Sequence, residues 1–367
     1  MSTNKRNILV DVFSGVGGFA LGFKNAGVPI HKHFFSEIDL HAIANYKYNF
    51  RNAQYLGSVK YVRHIINTIN AYRRAGDTLI FVFGSPCQDF SMAGERAGLG
   101  GNKSSLIRFA LFLIKWLKPD LYTWENVKGT FSSNAGADFW TIIKAFANCG
   151  AYNIEWQLLD TAWVLPQNRE RIYIVGHATT GSTKKVFPIQ ENDRLFGKTF
   201  ATEKRSSQAE NCSTITHNFG SNADSTFIKV ATNNAKGFEV AGPGDSINYS
   251  NINSTTRRGR VGKKPASTLD THANLAVIDN TEQLRRLTEI ECERLQGFPD
   301  NWTQYGYMPL KKISQNKFNT LTATEQIAVF QNTVKKPISS TQRYKQMGNA
   351  VTAEIVKKIA IKLELPA

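Results

Sequence analysis

This chain has little cysteine and pairs none of it in sequence. Its four cysteines, Cys87, Cys149, Cys212 and Cys292, form no Cys-x-x-Cys unit, and its seven histidines show no metal-ligand spacing. The pattern argues against a zinc knuckle or a dithiol redox couple and suits thiols kept reduced, so no metal is expected. No apolar run reaches the roughly 20 residues that cross a bilayer. Met1 to Asn7 lead into no signal-peptide core, so the expectation is a cytoplasmic protein without a membrane partner. Acidic residues are scarce too: 29 Asp plus Glu stand against 45 Lys plus Arg, a formal charge of +16. Such an excess points to a polyanion, nucleic acid first, although a basic surface alone names no site. No internal repeat is visible.

What is present is enough for two domains: 367 residues, 41% of them hydrophobic. Asn7 to Phe13 reads as a buried strand, and Ser14-Gly15-Val16-Gly17-Gly18 turns it into a helical pattern from Phe19. Strand, glycine turn and helix open dinucleotide-type folds, but Gly-x-Gly-Gly is not a pyrophosphate clamp, so a cofactor lacking a pyrophosphate fits better. A second strand, Ile30 to Phe35, ends in Ser36-Glu37-Ile38-Asp39. Glu37 stands where such folds place a ribose-binding acid, and Asp39 is the better N-cap for a helix from Leu40. Further strand-helix units follow at Ala53 to Ala75, at Leu79 to Leu117 and from Leu121. Tyr152 to Asp160 and Ile172 to Gly176 read as strands, and the alternation predicts a mostly parallel α/β sheet.

The fourth strand, Leu79 to Phe83, runs into Gly84-Ser85-Pro86-Cys87-Gln88. Free cysteine usually packs as a small hydrophobe. Here a stiff Ser-Pro approach and a glycine-rich exit, with Gly94, Gly98, Gly100 and Gly101, set Cys87 in a polar, basic turn at a strand end, which suits a reactive thiol. Glu125 ends the fifth strand, and Arg169 and Arg171 precede another. From about His177 to Asp279 the composition shifts to Ser, Thr, Asn and Gly with short extended runs and a basic cluster, Thr255 to Lys264, which reads as a β- and loop-rich second domain. Periodicity returns at Arg285 to Asp300, a helix with Thr288 as N-cap, Glu291 completing a capping box, and Gly297 and Pro299 as its stop.

A thiol, a carboxyl and guanidinium groups facing a cofactor turn suit one reaction in particular. Methylation of cytosine C5 needs a nucleophile added at C6, a carboxyl near N3 and a cation near O2. With Asp11 to Gly18, Gly84 to Gln88, Glu125-Asn126-Val127, Gln167 to Arg171, Arg286 to Pro299 and Gly348-Asn349-Ala350-Val351 in that order, the chain resembles the bacterial and phage DNA (cytosine-5)-methyltransferases. These blocks bracket nearly the whole chain. The resemblance implies a class I S-adenosylmethionine-dependent methyltransferase fold, Rossmann-like, with a smaller β- and loop-rich target-recognition domain. The expected division is 1–180 completed by 341–367 as the catalytic domain, and 181–340, including the 285–300 helix, as the recognition domain.

On that resemblance Cys87 is the nucleophile, Glu125 contacts N3 and the exocyclic amine, and Arg171 contacts O2 with Arg169 in support. S-adenosyl-L-methionine, leaving as S-adenosyl-L-homocysteine, would be held by Phe13, Ser14, Gly15, Gly17, Gly18, Glu37, Ile38, Ser58, Val59, Pro86, Leu106, Asn349 and Val351. Family members commonly carry an acid where this chain has Ser58. Its hydroxyl, Asp77 or a backbone carbonyl are the alternatives for the adenine amino group. Double-stranded DNA is the implied partner, with the target base flipped into the site and the loop from Gln88 to Ser105 closing over it. Gln88, Ser91, Arg96, Arg257, Arg258, Arg260 and Thr268 are the candidate DNA contacts, and for the arginines a solvated turn is an equal reading. A monomer is expected, and a cognate restriction endonuclease, where one exists, would be a genetic and not a physical partner. The competing readings are an RNA cytosine-5 methyltransferase and a catalytically silent DNA-binding regulator of the same fold. A nicotinamide oxidoreductase would leave Cys87, Glu125 and the basic second domain without a role.

Overall fold

The computed structural model describes residues 5–86, 105–180, 185–190, 213–214, 228–250, 256, 260–263, 265–272, 274–278 and 284–365. Seven strands form the main sheet: β1 (Asn7–Val12), β2 (Lys32–Ser36), β3 (Gln54–Tyr55), β4 (Thr78–Gly84), β5 (Leu121–Val127), β6 (Tyr152–Asp160) and β7 (Glu170–Ala178), in the order β3-β2-β1-β4-β5-β7-β6. The first five are parallel, and β7 runs antiparallel to both of its neighbours. Continuous apolar runs in β1 and β4 fit this place, since a strand covered on both faces has no polar side to present.

Helices cover both faces. On one lie α1 (Gly18–Asn25) and α2 (Leu40–Asn49), where Phe19, Phe23 and Ile43 pack with Leu9, Phe35 and Val82. On the other lie α3 (Val62–Tyr72), α4 (Ser105–Leu117) and, past the short α5 (Gly129–Ser132), α6 (Ala137–Ala147), through Ile65, Leu113 and Phe146 against Val10 and Phe81.

Beyond β7, β8 (Ser213–Thr214), β9 (Ile228–Ala231) and β10 (Phe238–Ala241) make one small sheet. β11 (Ser246–Asn248), β12 (Val261–Gly262), β13 (Leu275–Ile278) and β14 (Leu284–Arg286) make another. Arg260 is the pin of this region. It is only 2% exposed, and its guanidinium donates to the carbonyls of Asn248, Ala231 and Ser250 at 3.1, 3.0 and 3.3 Å. This corrects the expectation that Arg260 reads DNA: the cation is spent on carbonyl oxygens that would otherwise lose water without a partner.

The chain then returns to the large sheet. α7 (Glu289–Leu295) carries the predicted Thr288/Glu291 capping box and, with Phe298 and Trp302, packs on Val16 and Leu21. β15 (Tyr305–Pro309) and β16 (Thr333–Pro337) form a hairpin whose span holds α8 (Gln315–Thr320) and α9 (Ala323–Val329). This module lies on α2 and β3: Asn45 Nδ2 donates to the carbonyls of Trp302 and Tyr305, and Phe318 and Phe330 join the core around Tyr55. Its apolar faces are buried against the large sheet, so the segment holding α8 and α9 packs there and not on the small sheets. Last come α10 (Ser340–Asn349) and α11 (Ala353–Lys362), and α11 packs on α1. A Cβ on Gly22 would stand 2.5 Å from Val356 Cβ, so only glycine allows these helices to approach so closely.

Candidate active site

The site forms at the carboxyl edge of the parallel strands, where open α/β sheets place ligands. A cavity of about 390 Å³ is lined by the turn after β1, the ends of β2, β4 and β5, Ser58 and Val59 after β3, Leu106 of α4, Arg169 and Arg171 at the start of β7, Lys345, Gln346 and Gly348–Val351. β7 supplies its beginning rather than its end because it is antiparallel. Its register sets Arg171 opposite Val127, so Arg171 meets the edge that β5 reaches with Glu125.

At the first turn Phe13 has φ +52° and Gly15 and Gly17 have φ +53° and +89°. Phe13 in the left-handed region is strained, which marks a turn held by its surroundings. Glu37 does the holding: Oε2 accepts from Gly15 N–H at 2.8 Å, and Oε1 accepts from Ile38 and Asp39 N–H at 2.7 and 3.0 Å. Burial pushes the Glu37 carboxyl up, and these N–H groups pull it back. Asp39 caps α2 by accepting from His41 and Ala42, as expected, and pairs with Lys345 at 2.6 Å. Beneath the turn Asp11 is fully buried and accepts from the Tyr46 hydroxyl at 2.9 Å, and its carboxyl lies well above the usual range because burial outweighs that bond.

At the opposite wall Gly84 and Glu125 are register partners. A Cβ on Gly84 would lie 3.2 Å from Glu125 Oε2 and 3.3 Å from Val351 Cγ2, so the glycine makes room for the carboxyl. Glu125 is 8% exposed and its Oε1 lies 3.2 Å from Arg171 Nε. Burial pushes this carboxyl up, while Arg171 and then Arg169 oppose it. Arg169 is buried and donates to the Ala350 carbonyl at 2.8 Å, tying β7 to the Gly348–Val351 segment. Ser85 is clamped by Trp124 Nε1 and Asn126 Nδ2, each 3.0 Å from its hydroxyl, and this fixes the approach through Pro86, the last described residue before Cys87.

Of the expected site residues, Phe13, Ser14, Gly15, Gly18, Glu37, Ile38, Ser58, Val59, Pro86, Leu106, Glu125, Arg169, Arg171, Asn349 and Val351 line this one cavity. Gly17 stands behind it, against Phe50 and Tyr46. Asp77 is at the far edge of the sheet, paired with Arg6 at 2.6 Å, so it is not the substitute acid for adenine. Thr268 donates to the Asn168 carbonyl at 2.5 Å, which makes it a contact between the small domain and the catalytic domain. Cys87, Gln88, Ser91, Arg96, Arg257 and Arg258 lie outside the described residues. Sequence reasoning missed the Ser85 clamp and the buried Gln346 that lines the cavity. Asn126, beside Glu125 in its motif, was the available signal for the clamp. Among the described residues no cluster of His, Cys, Asp and Glu could hold a metal and no helix is long and apolar enough to cross a membrane.

Comparison with known proteins meets this geometry. The model of the C-5 cytosine-specific DNA methylase family matches residues 8–317. The chain belongs to this family. It is accordingly an enzyme of the DNA (cytosine-5-)-methyltransferase class; the glycine turn, Gly84–Pro86, Glu125–Val127, Arg169 with Arg171, and Gly348–Val351 all reach the cavity, while the Arg286–Pro299 block packs behind the glycine turn. This methylase is 28% identical to the type II methyltransferase M1.ScrFI of Lactococcus lactis subsp. cremoris, over 97% of its own length and 77% of the relative's. It is 27% identical to the type II methyltransferase M.HpaII of Haemophilus parainfluenzae, over 96% and 89%. In fold it is similar to the S. pombe Dnmt2 methyltransferase, with TM-score 0.54 and 15% identity, and to the Entamoeba histolytica methyltransferase EhMeth, with TM-score 0.55 and 14% identity, over 98% of each chain.

Proposed function

We propose that this methylase transfers a methyl group from S-adenosyl-L-methionine to C5 of a flipped-out cytosine in duplex DNA, through a transient bond between Cys87 and C6. The observation that carries the reading is the buried Glu125 carboxyl, paired with Arg171 at 3.2 Å, in the same cavity as Glu37 and the glycine turn. The cavity fits such a cofactor. Ser14 Oγ is buried there without a partner, the N-terminus of α1 has no side-chain cap, and the Glu37 carboxyl is set at the β2 end for hydroxyl donors. Phe13, Ile38 and Val59 offer apolar contact for a purine.

When bound, S-adenosyl-L-methionine supplies an electrophilic methyl group on a sulfonium. The chain's own groups do the rest. The Cys87 thiolate forms a bond to C6, which turns C5 into a nucleophile. Glu125, favoured in its neutral form by burial, donates to N3 and takes up the charge that develops there, while Arg171 holds O2. After C5 has gained the methyl group, a solvent water takes the C5 proton, the C5–H electron pair forms the C5=C6 bond as the C6–S pair returns to sulfur and releases Cys87, and N3 returns its proton to Glu125. A duplex buries C5 in its stack, so the base must leave the helix to reach a cavity at the carboxyl edge of the sheet.

The test is tritiated methyl transfer to unmethylated DNA and to bulk RNA, with Cys87→Ala beside the wild type, followed by bisulfite sequencing. Methylated cytosines in one short DNA context, absent with Cys87→Ala, are expected. Label in RNA alone would move the substrate to RNA, and full transfer by Cys87→Ala would remove the covalent step.

A further inference from the structure

Two loops form one end of the cavity: Ile38–Asp39 after β2, and Ser58–Val59 after β3. Both are strapped from outside by the α8–α9 module, most of which lies past residue 317, where the family match ends. Gln326, fully buried, accepts the Ser58 N–H at 2.9 Å and donates to the Phe318 carbonyl at 3.2 Å. Gln315 accepts the Leu40 N–H at 3.0 Å and donates to the Ile38 carbonyl at 2.6 Å. The Tyr61 hydroxyl donates to the Leu321 carbonyl, and Lys60 donates to the Asn319 carbonyl at 3.1 Å. Gly57, at φ +78°, lets the second loop turn directly over this brace, with Gln326 Oε1 3.3 Å from where a Cβ would stand.

We propose that Gln326 and Gln315 are positioning residues that set the adenosine-binding wall of the cavity, on the reading that the cavity takes S-adenosyl-L-methionine. Ser58 is 4% exposed, so its N–H, once stripped of the Gln326 oxygen, either goes unpaired in the interior or pulls the loop away. With that N–H held, the Ser58 hydroxyl is what the loop can aim at a purine edge. Neither glutamine lines the cavity, so each acts through the loop it holds.

Calorimetric titration of the full chain with S-adenosyl-L-homocysteine and with 5′-methylthioadenosine, which keeps the adenosine and lacks the amino acid, tests this. Gln326→Met is expected to raise Kd for both ligands by about tenfold, and Gln315→Ala by about threefold, with DNA affinity nearly unchanged; the Met variant also melts a few degrees lower, because the Ser58 N–H and the Phe318 carbonyl lose their partner. Gln326→Glu keeps an acceptor oxygen for Ser58 but loses the donor to the Phe318 carbonyl, and is expected to recover only part of the binding. The proposal is overturned if wild type binds S-adenosyl-L-homocysteine and both variants bind it within about twofold of wild type. It is also overturned if the loss is matched by equal loss of DNA affinity, which would mark general unfolding. If Gln326→Met does not fold, Gln315→Ala decides. Absence of binding by folded wild type would instead remove the cofactor reading itself.

Discussion

Glu125→Gln replaces a buried carboxyl by an amide of the same shape, 3.2 Å from Arg171 Nε. At that distance and an effective dielectric of about 20 the attraction between carboxylate and guanidinium is about 5 kcal/mol. Yet the carboxyl still sits above its ordinary range, so the cost of burying its charge exceeds what Arg171 and Arg169 return. The fold therefore gains nothing net from ionised Glu125. Arg171 keeps the Glu170 carbonyl at 2.8 Å and Arg169 keeps Ala350, so the amide should change stability by no more than about 1 kcal/mol, or about 1 °C in melting temperature. Chemistry should suffer far more. An amide can still donate to N3 but cannot give up a proton, and loss of one such stabilising group typically costs about 100-fold to 1000-fold in kcat. Single-turnover methyl transfer beside thermal melting separates the two effects. In wild type, kcat should also fall as pH rises through the raised Glu125 pKa, and the amide variant should lack that limb. A kcat within about threefold of wild type would refute the role given to Glu125.

Gly84→Ala should lower kcat more than it raises the Kd for S-adenosyl-L-homocysteine, because its Cβ would stand 3.2 Å from Glu125 Oε2 and push the carboxyl off its line; equal activity would show that the wall can give way. Asp11 is buried with its pKa raised, so it adds stability below its unfolded pKa that is lost as pH rises through the folded one. Thermal melting at pH 4 to 8 should show Asp11→Asn lacking that decline. Arg260→Met leaves three carbonyls without their donor and should cost about 2 to 4 kcal/mol, read as a lower denaturation midpoint in urea, with the salt dependence of DNA binding unchanged. Gly22→Ala should lower the melting temperature by several degrees, since its methyl would meet Val356 at 2.5 Å.

The chain's own residues carried much of this reading unaided. Buried strands announced themselves as apolar runs, and the glycine turn, Asp39 and the Thr288/Glu291 box are local signals whose physics lies within a few residues. Motifs at strand ends likewise pointed to one edge, because a mostly parallel sheet brings its carboxyl ends together. Other features depend on partners far away in sequence. Nothing near Arg260 says that its guanidinium meets Ala231, 29 residues earlier. Nothing near Ser58 says that Gln326, 268 residues later, holds its N–H. The direction of β7, which turns Arg171 towards Glu125, is a choice of strand pairing that an apolar run states only as a strand. The resemblance grouped 285–340 with the second domain, but Phe318 and Phe330 had apolar surface to hide, and α2 with β3 was the surface that could take it. Sequence alone thus determined which chemistry this protein carries, because reactive groups and turns are local. Tertiary structure decided which arginine faces the site and which is a pin, because that depends on what burial leaves each charge to pair with.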